Sequence, residues 1–210
     1  MEANKNMDYK KIAEDSVIKK TVDALKARNI CAVVVNTKEE ALEEIKKLIP
    51  HGASVMNGSS ATLGEIGFVE YLKEGKHGWD NVHANILNEK DPTKKARLRK
   101  ESVLADYFLG SVHAITEAGQ LLIASASGSQ LPSYAFSSDN VIWVASANKI
   151  VVDREDGFKR IEDYVFPLEN KHMQSVGYPG STIGRVLVFE REIMPNRHLT
   201  MILVKEKLGF

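Results

Sequence analysis

Residues 104–163 read LADYFLGSVHAITEAGQLLIASASGSQLPSYAFSSDNVIWVASANKIVVDREDGFKRIED. Short apolar runs at 112–115, 121–124 and 141–145 alternate with segments rich in glycine, serine and asparagine, the pattern of buried strands joined by turns. The run Val141-Ile142-Trp143-Val144-Ala145 is the most apolar strand of the chain. Asn148-Lys149 separates it from Ile150-Val151-Val152, and Asp153 is placed to cap a helix that runs through Phe158 and Ile161 to Tyr164, with Pro167 marking its end. One carboxylate, Glu117, stands between hydrophobic runs in the turn Thr116-Glu117-Ala118-Gly119. A sheet with such turns is where a site is expected.

Upstream, Ile12, Val17, Ile18, Val22 and Leu25 recur at near-helical spacing, so a long amphipathic helix is predicted over 8–29, with Asn29 as its stop. Residues 30–35 then read as a strand buried on both faces. Thr37 and Glu40 have capping-box spacing for a helix that reaches Ile49 and ends at Pro50. A strand at 53–56 leads into Asn57-Gly58-Ser59-Ser60-Ala61-Thr62-Leu63-Gly64-Glu65-Ile66-Gly67, a glycine- and serine-rich turn before a helix that continues through 68–73. That turn is either an anion-binding loop or a plain helix cap through Ser60 or Thr62. A polar connection follows at 74–81, and a second long helix is predicted over 92–108, closed by Gly110. Downstream, a glycine-rich segment at 177–184 precedes two β-rich runs, 185–190 and 199–204, which read as a hairpin near the sheet edge. The fold class is α/β: a three-layer, Rossmann-like, mostly parallel sheet with helices on both faces, in one domain spanning 1–210.

Lysine plus arginine and aspartate plus glutamate each number 28. The zero net charge gives no long-range attraction for nucleic acid or an anionic membrane. The basic run at 94–100 fits the wet face of a helix. Cys31, the single cysteine, heads an apolar run and reads as a small buried hydrophobe; one cysteine excludes an intrachain disulfide or a cysteine-held cluster within this chain. His77 and His83 lack a third ligand at suitable spacing, so no metal and no cofactor are expected. With no signal-type segment and no long apolar span, a cytoplasmic location is expected.

The segments Ala105-Asp106-Tyr107-Phe108-Leu109-Gly110-Ser111-Val112-His113-Ala114-Ile115-Thr116-Glu117-Ala118-Gly119, Val141-Ile142-Trp143-Val144, Asn148-Lys149-Ile150-Val151, 155–167 and 58–67 together resemble the LUD-domain family, named for lactate utilisation. The resemblance covers nearly the whole chain. It implies a sheet shared with CoA transferases, ribose-5-phosphate isomerase and glucosamine-6-phosphate deaminase, whose members bind CoA esters or sugar phosphates at strand ends. It also implies a link to lactate or organic-acid utilisation, with iron–sulfur or oxidase proteins as partners. A homodimer is the default assembly expected of an α/β protein of this kind. Many relatives carry an Asp and a later Asn-Arg or Arg-Arg pair in the loop after the strand. This chain has Ser125 and Ser129-Gln130 there, so the arginine grip on a phosphate is missing from that loop.

The expected pocket is built from Gly58, Ser59, Ser60 and Thr62, from Gly119, from Ser125, Ser127, Gly128, Ser129 and Gln130, and from Asn148 and Lys149, around a small-molecule ligand. Glu117 is the candidate catalytic residue, since a strand-end carboxylate that is partly desolvated can act as base or nucleophile. The CoA-transferase Ser-Glu-Asn-Gly signature matches it only in Glu117 and Gly119, and against covalent chemistry a turn glutamate accepting backbone N–H groups is the favoured reading. His113 reads as a packed histidine, and Tyr178 and Arg185 flank a loop able to close over a ligand. Three functions stay open: metabolite binding, a transferase or isomerase using Glu117, and a subunit that docks a redox partner through apolar surface near Tyr134-Phe136.

Overall fold

The computed structural model describes residues 8–210. Its helices and strands run α1 Asp15–Lys26, β1 Cys31–Val35, α2 Lys38–Leu48, β2 Ser54–Asn57, α3 Ala61–Glu65, α4 Phe68–Glu74, β3 Asp80–Asn81, α5 Val82–Asn88 and α6 Pro92–Glu101. They continue β4 Tyr107–Gly110, β5 Ala114–Thr116, β6 Leu121–Ser125, β7 Asn140–Ser146, β8 Ile150–Val151, α7 Arg154–Arg160, α8 Phe166–Ser175, β9 Arg185–Phe189 and β10 His198–Val204. Six strands form a sheet in the order β1-β10-β7-β4-β2-β3, and four form a second in the order β8-β5-β6-β9. Every pairing in the larger sheet is parallel.

The alternation of side chains along a strand divides the core in two. Phe108, Val141, Trp143, Ala145, Leu199, Met201 and Leu203 face α1 and the smaller sheet, packing on Ile18, Leu25, Ile115, Leu121 and Ile123. Leu109, Ile142, Val144, Ile202 and Val204 face the other way, onto Ala41, Ile45, Leu63 and Phe68 of α2 to α4. The smaller sheet carries a third cluster on its outer side, where Ala114, Leu122 and Val151 meet Ile161. Helices on both sides of a parallel sheet bear out the expected layers.

Local signals hold well. Thr37 accepts from the Glu40 N–H at 3.2 Å and caps α2, while the Glu40 carboxylate reaches the Asn36 N–H at 2.7 Å. Asp153 caps α7 by accepting from the Asp156 N–H at 3.0 Å. Asn29 ends the first helical segment in the left-handed region at φ 60, which an asparagine tolerates.

Several expectations need correction. The first helix covers only Asp15–Lys26. The strand at 31–35 is an edge strand with one buried residue, Val35, and Cys31 is exposed; no strand among the described residues pairs with the outer side of β1. The helix at 92–108 stops at Glu101, and Tyr107–Gly110 is a central strand rather than a helix end; four apolar residues have too little length for periodicity to decide. Runs 185–189 and 198–204 are not a hairpin: β9 joins the smaller sheet and β10 lies between β1 and β7. Burial of residues 199–204 on both faces requires such an interior position. Pro167 does not end its helix; a π turn at Ile161–Val165 absorbs the irregularity, and α8 starts with the proline in its first turn, where a missing N–H costs nothing.

Candidate functional site

Three neighbouring strands, β7, β4 and β2, release their chains at the carboxyl edge of the larger sheet. There they border a cleft of about 990 Å³ lined by Gly58 to Thr62, Ser111 to His113, Ile123 to Ser127, Ser129, Gln130, Tyr134 and Lys149. The opposite wall comes from α8 and the glycine-rich segment after it, including Glu169, His172, Tyr178 and residues 179–183. Open α/β sheets bind ligands at this edge.

Lys149 occupies the floor. It sits in a 3-10 turn after β7, 2% exposed, with its aliphatic stem packed away from water. Its ammonium nitrogen donates to Thr62 Oγ1, Ser111 Oγ and the Val112 carbonyl, each at 3.1 Å. Ser111 and Val112 directly follow β4, and Thr62 lies in the first turn of α3, which follows β2, so the parallel register assembles the cluster. Ser60 caps α3 by accepting from the Leu63 N–H at 3.3 Å, and this leaves the Thr62 hydroxyl for Lys149. All three partners are neutral. Burial, with the nearby Arg160 guanidinium adding repulsion and Glu65 opposing it, pushes the Lys149 amine down to about 7.

His113 lies beside it. Its Nδ1 accepts from the Ala124 N–H at 3.0 Å, so the neutral ring carries its proton on Nε2. Burial, then Lys149 and Arg160, push its pKa down to about 3, and the ring is a fixed neutral group at ordinary pH. Arg160 is fully buried beside the paired rings of Tyr9 and Tyr164, whose centroids lie 5.8 and 5.2 Å from its guanidinium carbon, and donates through Nη1 to the His113 carbonyl. Its Nε and Nη2 have no partner among the described residues.

Tyr134 forms another part of the wall. It is buried against Phe108 and Trp143, and its hydroxyl fits where a Cβ on Gly110 would lie 1.7 Å away and one on Gly58 3.5 Å away. Gly110 therefore gives this ring room, whereas a Cβ on Gly58 would make ordinary contact with it. Burial raises the phenol above its ordinary range, with a hydrogen bond from the Ser111 backbone opposing that shift.

Of the residues expected to form the pocket, Gly58, Ser59, Ser60, Thr62, Ser125, Ser127, Ser129, Gln130 and Lys149 line the cleft. In the loop after β6, the Ser125 hydroxyl accepts from the Gly128 N–H at 2.8 Å and bonds Gln130 Oε1 at 2.9 Å. Gly128 turns that loop at φ +78, with the Arg185 side chain packed against it, and Arg185 donates to the Ala126 carbonyl at 3.2 Å. A guanidinium from β9 thus holds the loop that lacks its own arginine.

Glu117, Gly119, Gly128 and Asn148 are not among the cleft residues. Glu117 pairs with Lys20 of α1 at 2.8 Å, and Gly119 packs on the α1 backbone at Ala24. Asn148 is buried and donates to the Tyr9 carbonyl at 2.9 Å, with its Oδ1 unpaired among the described residues. Ser111 and Tyr134 were missed as site residues; Ser111 follows a strand that reads as helix, and Tyr134 looks like surface. Phe136 is indeed exposed, at 72%, but Tyr134 is buried. No helix among the described residues is long and apolar enough to cross a membrane, and none of them group as three or more His, Cys, Asp or Glu able to hold a metal.

A parallel α/β sheet with a ligand-sized cleft at its carboxyl edge defines the class of protein. The LUD domain model matches residues 18–179, and the chain belongs to the LUD-domain family. No curated protein matches it. Among solved structures it is similar to a DUF162 family protein from Deinococcus radiodurans, with 13% identity and a TM-score of 0.51, over 92% of this chain and 99% of that one. At that identity the likeness speaks for the fold.

Proposed function

We propose that the cleft binds a small anionic metabolite, an organic acid or sugar phosphate, with Lys149 as its charged anchor, and that the protein serves organic-acid utilisation of the kind for which its family is named. The observation that carries this reading is a lysine amine buried at a cleft floor with only neutral hydrogen-bond partners. A buried ammonium without a countercharge is costly. An anion entering the cleft supplies that charge, and Ser111, Thr62 and the His113 ring supply neutral hydrogen-bonding groups around it. Glu117 has no part in this binding.

Thermal unfolding with a panel of hydroxy acids, oxo acids, sugar phosphates and CoA esters tests the reading. At least one anion is expected to raise the melting temperature of the wild type, and Lys149→Met is expected to weaken that ligand at least about tenfold, the loss of one charge-assisted contact. Equal stabilisation of both proteins would remove Lys149 as the anchor.

A further inference from the structure

The amine that the proposed reading uses as an anchor also has the setting of a nucleophile. Lysines on the helix surfaces, such as Lys46, Lys47, Lys73 and Lys159, are each held by a glutamate at 2.6 to 2.8 Å. Lys149 has two hydroxyls and a carbonyl instead, so no carboxylate fixes its proton. The nearby Arg160 guanidinium, which has no carboxylate partner among the described residues, disfavours the ammonium further. Both the charged form that attracts an anion and the free amine are populated near neutral pH.

We infer that Lys149 forms a reversible imine with the carbonyl carbon of a small oxo acid bound in the cleft. The inference rests on the proposed binding of an anion there and names the class of that ligand. The Nζ lone pair forms the C–N bond as the carbonyl π electrons move to oxygen, which takes a proton to give a carbinolamine. Loss of that oxygen as water leaves C=N; over the whole step the two hydrogens of the water come from the amine, and no oxidant or reductant is consumed. Thr62 Oγ1 and Ser111 Oγ, both 3.1 Å from Nζ, are placed to carry protons between nitrogen and oxygen. A floor 2% exposed also limits the water that hydrolyses an imine. The carboxylate of the oxo acid explains why an aldehyde without charge would be a poorer ligand: Arg160 remains as a cation nearby when the lysine nitrogen is bonded to carbon.

The test uses glyoxylate as probe and cyanoborohydride to reduce the imine irreversibly, with peptide mapping of the wild-type chain at neutral pH. The expected result is a carboxymethyl adduct that accumulates on Lys149 about a hundredfold faster than on the surface lysines, as a free buried amine requires, with acetaldehyde labelling Lys149 at least about tenfold more slowly than glyoxylate. Glyoxylate that raises the melting temperature without labelling Lys149, or labelling spread evenly over the surface lysines, overturns the imine while leaving anion binding intact. Absence of stabilisation by any anion in the panel, with no adduct on Lys149, removes both. Because the wild type is mapped residue by residue, the result does not depend on a Lys149 variant folding.

Discussion

Replacing Arg197 with methionine is expected to destabilise the protein by about 3–5 kcal/mol, the cost of stranding one member of a buried ion pair. The Arg197 and Glu192 side chains are 3% and 5% exposed and pair through Nη1. The guanidinium also donates to the carbonyls of Ser138 at 3.0 Å, Ala135 at 3.3 Å, and Ser133 and Tyr134 at 3.1 Å. Glu192 in turn accepts from the N–H groups of Ile193 and Met194 at 2.8 and 2.7 Å. Arg197→Met therefore leaves a buried carboxylate and four carbonyls without their donor. Equilibrium denaturation reads the loss, and Arg197→Met combined with Glu192→Gln is expected to recover part of it, since the neutral amide keeps an acceptor for the two N–H groups. A single-variant loss below about 1 kcal/mol would mean that the pair is solvated like a surface bridge. The pair matters to the site because it pins the π turn at Ser133–Ser137 that delivers Tyr134 to the cleft.

The second large effect is expected at Gly110. A Cβ there would stand 1.7 Å from the Tyr134 hydroxyl and 2.8 Å from its Cζ, and Tyr134 has little space to retreat, with Phe108 and Trp143 ring centroids at 5.3 and 5.6 Å. Gly110→Ala should cost about 1–3 kcal/mol through overpacking and deform the wall of the cleft. Tyr134→Phe in the Gly110→Ala background removes the nearest atom and is expected to restore a substantial part of the stability. If the double variant is no more stable than Gly110→Ala alone, the clash lies elsewhere.

How much of this was legible depended on range along the chain. The caps at Thr37 and Asp153 are visible because donor and acceptor lie three residues apart, and β7 is visible because an unbroken apolar run has few other uses. The places of β4 and β10 in the sheet were not. A strand of four residues mimics the end of a helix, and two β-rich runs joined by Met194-Pro195-Asn196 mimic a hairpin when only pairing between distant strands separates the cases. The site divides in the same way. Gly58 to Thr62 and Ser125 to Gln130 declare themselves by composition, but the link from Thr62 and Ser111 to Lys149 spans 87 and 38 residues and exists only once the parallel register is set. Lys149 in a short turn suggests a solvated side chain; the turn is buried because β7 is interior and residues 207–210 pack nearby, with Gly209 held by Glu65 at 2.9 Å. Glu117 reads as a strand-end carboxylate, and its distant partner Lys20 on α1 is equally invisible in the local sequence.

The depressed pKa of Lys149 has a consequence for stability with a definite sign. The amine lies near 7 in the folded chain against an ordinary lysine value of 10.5, so between those values the unfolded chain holds more protons and stability attributable to this group rises with pH. Below about pH 7 both states are charged and the burial penalty is present in full. The stability of the wild type relative to Lys149→Met is expected to increase from neutral pH towards pH 10.

Anion binding reverses the preference of that amine, since a bound carboxylate or phosphate favours the ammonium. The most direct measurement is therefore calorimetric titration, at about pH 6 and about pH 9, of the wild type with the hydroxy acid or sugar phosphate of the panel that stabilises it most, a ligand with no carbonyl for the amine to attack. Binding at least about tenfold weaker at the higher pH, with proton uptake near neutrality, is the predicted result when Lys149 is the anchor. An affinity that stays the same across that range, with no proton taken up, would contradict it.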